Sequence, residues 1–204
     1  MRLLFVFACI LIIQFGLFAQ SSNISNNKLG VKTSFNLSSM VGTALKNPRA
    51  KFGYTAGTYF ISNTKKKTSI YSEIMGNFKG SNFSNGDLGY SKIALFYVDV
   101  SLLPLFRLKN EHSVCIGPTV SYLGLSSLYI GEKRKSEIDE LSLKPWEYSI
   151  ALYYQIPKSI VSFQFGSKIG IRNINNNLIL DNISPTINSN GTIQNISFEI
   201  GMLF

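Results

Sequence analysis

The sequence predicts an all-β protein, an eight-stranded antiparallel up-and-down transmembrane β-barrel preceded by a cleavable signal peptide. Three observations predict it. First, the chain runs out in Ile196-Ser197-Phe198-Glu199-Ile200-Gly201-Met202-Leu203-Phe204, where every second side chain from Ile196 to Phe204 is large and apolar. A strand with lipid on one face and a polar lumen on the other alternates in this way. Second, seven further alternating segments precede it. Third, the connections between segments are short and long in strict turn. An up-and-down membrane barrel sorts its connections like this, whereas a Greek-key sandwich has no reason to.

The amino-terminus reads as an export signal over residues 1–20, leaving 21–204 as the barrel domain. Arg2 supplies the positive start, and Leu3 to Phe18 is apolar apart from Gln14 and Gly16. Cleavage after Ala19 or Gln20 fits the polar Ser21 and Ser22 that follow. A retained anchor is the alternative, disfavoured by the shortness of the run and the small residue that ends it. Cys9 lies inside the apolar run, behind the bulky Phe7, which is no place for a lipoprotein acceptor.

The strands follow in order. Leu29 to Ser38 sets Leu29, Val31, Phe35 and Leu37 against Lys32, Ser34 and Asn36. Lys51 to Ser62 has Phe52, Tyr54, Ala56, Thr58 and Phe60 on one face. Thr68 to Phe78 opposes Ile70, Ile74 and Phe78 to Tyr71, Glu73 and Asn77. Lys92 to Phe106 opposes Ala94, Phe96, Val98, Val100 and Leu102 to Tyr97, Asp99 and Ser101. Ser113 to Gly124 has Val114, Ile116, Val120 and Tyr122 across from Cys115, Gly117, Thr119 and Ser121. Trp146 to Ile156 alternates throughout, with Glu147, Ser149, Ala151, Tyr153 and Gln155 on its second face. Ile160 to Arg172 places Val161, Phe163, Phe165, Ile169 and Ile171 against Ser162, Gln164, Gly166, Lys168 and Arg172. The eighth strand begins near Thr192.

Asn63 to Lys67, Lys109 to His112 and Pro157 to Ser159 are the short turns. Ser39 to Ala50, Lys79 to Ser91, Leu125 to Pro145 and Asn173 to Gly191 are the long loops. Both chain ends then fall on the short-turn, periplasmic side. Hydrocarbon tolerates no open sheet edge, so the first and last strands must pair. Tyr54, Phe60, Trp146, Tyr148, Tyr154 and Phe204 are candidates for the aromatic girdles. Phe204, at the end of the terminal strand, is the expected contact with the barrel-assembly machinery.

Aromatic residues make up 13% and charged residues 15% of the chain. That is aromatic-rich and charge-poor for a soluble protein, and a barrel hides its apolar residues in alternate positions. Cys115 is the one cysteine outside the signal, so no internal disulfide is available. The net charge of +9 reads as scattered, with Lys65-Lys66-Lys67 a solvated turn, and nothing suggests nucleic-acid binding. Enzyme chemistry finds no support. His112, the only histidine, sits on a short turn, away from the outer side where acid–base work is expected. No zinc spacing or phosphate loop occurs, and Asn82 to Gly89 has too few carboxylates for calcium. Neither a metal nor a cofactor is expected.

The inward faces carry Lys32, Glu73, Asp99, Glu147, Lys168, Arg172 and Glu199. Eight strands leave an interior that side chains can fill, and charges there must be paired or hydrated. These seven are expected to form a structural plug rather than an open pore. The alternative is a gated ion or proton path, in which neighbouring Glu73 and Asp99 raise one another's proton affinity. The loop Gly131 to Leu141 mixes both charge signs and reads as a short helix over the mouth or a mobile segment. It and Asn173 to Gly191 are candidate sites for a protein partner.

The segments together resemble the PorT-like outer-membrane β-barrel proteins of Bacteroidetes-type bacteria. The resemblance is carried by Leu29-Gly30-Val31-Lys32 with Phe35-Asn36-Leu37-Ser38, Tyr71-Ser72-Glu73-Ile74, and Tyr97-Val98-Asp99-Val100 leading to Leu103-Pro104-Leu105. Gly117-Pro118, the run from Phe165 to Ile174 and the terminal Phe204 complete it. It implies an eight-stranded barrel in the outer membrane, and its namesake takes part in protein secretion across that membrane. The expected function is thus structural or interactive: a monomer in outer-membrane lipid, serving secretion or surface assembly. A small-solute channel or transporter is one alternative, and a soluble exported barrel with an apolar ligand inside is another.

Overall fold

The computed structural model describes residues 27–44, 47–63, 65–84, 90–130, 133–136, 143–158, 160–176 and 191–204. Residues 1–20, expected to be the signal peptide, lie outside this set. The strands are β1 (Lys28–Val41), β2 (Lys51–Ser62), β3 (Thr68–Ser84), β4 (Tyr90–Arg107), β5 (Ser113–Ile130), β6 (Lys133–Ser136), β7 (Trp146–Pro157), β8 (Ser162–Gly170) and β9 (Gln194–Leu203). A single 3₁₀ turn, Lys109–Glu111, joins β4 to β5.

Eight of these strands close a barrel. The order is β4-β3-β2-β1-β9-β8-β7-β5, and β4 pairs back onto β5. Every pairing is antiparallel, and the seam between first and last strands is continuous, with Phe35 opposite Ile200 and Leu37 opposite Phe198. The terminal Phe204 donates its N–H to the Val31 carbonyl at 2.9 Å. No edge in the wall is therefore left unpaired at this seam, as a hydrocarbon environment demands.

Period-two alternation determines which way each residue faces. Phe52 is 82% exposed, Phe198 61% and Ile150 48%, all on the outer wall. Sequence neighbours of the last two, Ser149, Ala151, Ser197 and Glu199, are buried in the lumen. One irregularity resets the alternation. Phe96 pairs with Leu125 and Tyr97 with Leu123, so Gly124 is an extra residue on β5. Before this bulge Ser121 and Leu123 point inward; after it Ser126 and Leu128 do.

The wall is not of even height. β3, β4 and β5 have 17, 18 and 18 residues, whereas β8 and β9 have 9 and 10. Five segments read from sequence as loop are therefore sheet, among them Ser39 to Val41 at the end of β1 and Tyr90 with Ser91 at the start of β4. Lys79 to Ser84 continues β3, Leu125 to Ile130 continues β5, and Lys133–Ser136 forms β6, which pairs with the end of β5. In the mixed-charge loop, read as a short helix or a mobile segment, residues 133–136 are strand, and residues 131–132 and 137–142 lie outside the described set. The ladder wins because β4 extends equally far and offers partners throughout: Lys79 opposes Leu95 and Asn82 opposes Lys92.

The lumen is layered. Near the short turns, Tyr59, Ile61, Tyr71, Leu103, Leu105, Cys115, Tyr153 and Leu203 pack as one apolar and aromatic cluster. Near the long loops, Met40, Phe83, Ile93, Leu95, Leu128, Leu143, Ile174 and Ile193 form a second. The polar lumen expected from the alternation is confined to the middle, where the charged groups lie between two apolar plugs. The loop-end plug is held by backbone bonds between segments outside the barrel wall, Lys144 N–H to the Ile174 carbonyl at 2.8 Å and Ile174 N–H to the Ile193 carbonyl at 2.9 Å.

Candidate functional site: the charged layer of the lumen

The middle layer is built from long side chains at inward positions on opposite walls. β1 contributes Lys32, whose ammonium donates to Glu73 of β3 at 2.9 Å and to Glu199 of β9 at 2.8 Å. β8 contributes Lys168, which lies 2.9 Å from Asp99 of β4 and 3.6 Å from Glu73. Glu73 is the hub. Its Oε1 accepts from the Tyr153 hydroxyl at 2.8 Å and from Ser101 at 3.1 Å, and its Oε2 accepts from the Tyr71 hydroxyl at 2.8 Å. An eight-stranded interior is narrow enough for side chains from facing strands to meet, which explains how Tyr153 of β7 reaches Glu73 of β3.

A second pair stands closer to the loop end. Lys79 of β3 binds Glu147 of β7 with contacts of 3.1 and 3.0 Å, and Asn195 of β9 donates to the same carboxylate at 2.6 Å. Amides extend the first group along β1, β2 and β3. Asn77 donates to Asp99 at 2.9 Å and accepts from Asn36 at 3.1 Å, and Asn36 also donates to Thr55 at 3.2 Å. The cations are met by ring faces as well as carboxylates. Lys32 Nζ lies 4.2 Å from the Tyr153 centroid and Lys79 Nζ 4.1 Å from that of Tyr97. Such contacts supply attraction in a place where hydration is scarce.

Of the seven charges placed inside by sequence, the structure brings six together: Lys32, Glu73, Asp99, Glu147, Lys168 and Glu199. Arg172 is not among them. β8 ends at Gly170, so the alternation that placed Arg172 inside no longer applies. Beyond it, Asn173 Oδ1 accepts the backbone N–H groups of Asn175 at 3.0 Å and Ile193 at 2.8 Å, turning the chain across the mouth. Arg172 is exposed, its guanidinium 5.4 Å from the Tyr148 ring centroid. The like-charge contact expected between Glu73 and Asp99 is also revised, because Lys168 bridges the two carboxylates.

Sequence reasoning missed Lys79, together with the tyrosine hydroxyls. Gly80 and Ser81 after it look like the start of a loop. The available signal was parity: Lys79 lies six residues beyond Glu73, an even number, and hence on the same face of an unbroken strand. Among the described residues, no group of three or more His, Cys, Asp or Glu side chains is placed to hold a metal. His112 sits at the turn end, hydrogen-bonded through Nδ1 to the Tyr154 hydroxyl.

This is the fold of the eight-stranded outer-membrane-type β-barrel: closed, antiparallel, up-and-down, apolar outside and polar at mid-lumen. Solved structures share it. The chain is similar to Neisserial surface protein A, NspA, with a TM-score of 0.52, 7% identity and coverage of 87% of this chain and 97% of that one. It also aligns with Ail, the attachment invasion locus protein of Yersinia pestis (TM-score 0.48, 10% identity, 87% and 97% coverage). A third is the outer membrane protein OprG from Pseudomonas aeruginosa (TM-score 0.47, 11% identity, 87% and 94% coverage). At these identities the likeness is one of fold. No protein-family model matches the sequence, and no curated protein matches it.

Proposed function

We propose that the protein is an integral outer-membrane barrel that does not conduct and serves as a monomeric scaffold for its loop end. The single observation that carries this reading is the pairing of an apolar outer belt with a lumen closed by three layers. The belt matches lipid, since Phe35, Phe52, Phe198 and Ile200 would be a severe liability in water. An apolar ligand carrier of the soluble kind would reverse this arrangement. Among the described residues the Lys32–Glu73–Glu199 and Lys79–Glu147 groups lie between two buried apolar clusters, which supports a closed lumen.

The resemblance to PorT-like barrels supports a role in protein secretion or surface assembly, with a protein partner at the long connections. Export through the inner membrane by residues 1–20 and recognition of β9 and Phe204 by the barrel-assembly machinery belong to the same reading. β9 and the residue after it present Phe198, Ile200, Met202 and Phe204 outward as one apolar stripe. The six lumen charges are assigned a structural role, that of a plug.

Four measurements test the proposal. The folded protein should migrate differently on a gel before and after boiling, and should fractionate with detergent or lipid. In planar bilayers it should show no steady conductance. Glu73→Gln should lower the unfolding temperature while leaving the bilayer closed. A large conductance change with unchanged stability would show instead that the charged layer is a gate.

A further inference from the structure

We infer that the short-turn rim of the barrel is a binding surface for anionic phospholipid headgroups. This rests on the membrane reading above and adds to it the class of lipid and the end of the barrel that selects it. Charge in this molecule is sorted, not scattered. Lys28 opens β1, Lys65, Lys66 and Lys67 make the β2–β3 turn, Arg107 and Lys109 flank the end of β4, and Lys158 stands in the β7–β8 turn. The start of β1 and each of the three turns at this end carry a cation, and the end of β9 at Leu203 and Phe204 carries none. Against these seven basic side chains stands one acidic one, Glu111, leaving a surplus of six where the whole chain has a net charge of +9.

The other charged regions lack such a surplus. Lumen lysines are taken up in ion pairs. Taken together, the long connections and the residues flanking them hold nine basic residues against six acidic ones, Asp87, Glu132, Glu137, Asp139, Glu140 and Asp181, a surplus half that of the rim. At the rim, Lys65, Lys66, Lys67, Lys109 and Lys158 are exposed, and Arg107 Nε is buried with no protein acceptor.

Apolar side chains share this level. Ile160 at the tip of the β7–β8 turn is 83% exposed, and Leu108, Phe106 and Phe204 are exposed beside the other cations. Greasy tips that enter acyl chains next to ammonium groups that stay at the phosphates are the pattern of an interfacial surface. The distribution selects lipid over a soluble acidic protein. A protein partner docks on one patch, whereas these cations ring the barrel as an annulus of lipid does.

The test uses the full barrel in phosphatidylcholine vesicles containing trace spin-labelled phosphatidylglycerol or phosphatidylcholine. The immobilised fraction of each label reports relative association. The wild type should favour phosphatidylglycerol roughly threefold at low salt, and the preference should shrink toward unity near about 0.5 M salt. A rim variant carrying Lys65→Gln, Lys66→Gln, Lys67→Gln, Lys109→Gln and Lys158→Gln should lose most of it. A loop variant, Lys133→Gln with Arg134→Gln and Lys135→Gln, should keep it. The inference is overturned if the inserted wild type shows no preference, if the rim variant retains it, or if the loop variant abolishes it. Failure of the wild type to enter lipid is a separate result, and overturns the membrane reading itself. The salt dependence of the wild type stands without any variant.

Discussion

The lysines inside the barrel and those at its turn rim are one residue type under opposite conditions. Lys32, Lys79 and Lys168 are buried, and each is held within 3.0 Å of a carboxylate. Lys65, Lys66 and Lys67 are exposed on a tight turn begun by Asn63, which adopts φ 51°. A buried ion pair recovers its desolvation cost only when its geometry is complete, while an exposed cation keeps its water and needs no partner. The same side chain therefore fixes the architecture in one place and is free to meet an outside ligand in the other.

The comparison breaks most sharply at Lys32. Its ammonium is shared by Glu73 and Glu199, so Lys32→Met leaves two buried carboxylates with reduced compensation. Removing one partner of a buried pair costs about 3–5 kcal/mol. The variant should unfold at clearly lower urea in vesicles, and its gel shift should be lost at lower temperature. If the urea midpoint matches wild type, buried and rim lysines do not differ in the way argued.

A smaller effect sharpens the same contrast without touching a charge. Tyr153→Phe keeps the ring face that Lys32 rests on but removes the hydroxyl that donates to Glu73 at 2.8 Å. Losing a hydrogen bond to a charged group costs about 1.5–3 kcal/mol. The urea midpoint should fall by less than for Lys32→Met. A larger fall would mean that the aromatic plug, not the ion pair, anchors the layer.

How much of this is legible in the sequence depends on one variable, the parity of a residue within an unbroken strand. Barrel closure, strand number and the inward placement of Lys32, Glu73, Asp99, Glu147, Lys168 and Glu199 follow from period-two alternation, which any barrel strand must obey. Where the strand itself ended early or late, parity misled. Arg172 has the right parity but lies two residues past the end of β8. Lys79 has the right parity on a segment that reads as loop, and the length of β4 alone keeps it in the sheet. Which carboxylate each lysine chooses was not legible. That depends on strand stagger around a closed wall, which sets who faces whom across the lumen, and no local pattern encodes it.

The weakest stability effect belongs to the rim, and it completes the comparison from the other side. Lys65, Lys66 and Lys67 are exposed, and the backbone bond that closes their turn, Lys66 N–H to the Asn63 carbonyl at 3.1 Å, does not involve their side chains. Changing all three to Gln should leave the urea midpoint and the gel shift at their wild-type values, as surface changes away from buried networks do. The same variant should measurably weaken the preference for phosphatidylglycerol. Stability without lipid preference at the rim, and lipid preference without stability in Lys32→Met that still inserts, would separate the two uses of lysine. A rim variant that unfolds as readily as Lys32→Met would instead show that these cations are tied into the fold through contacts of their own.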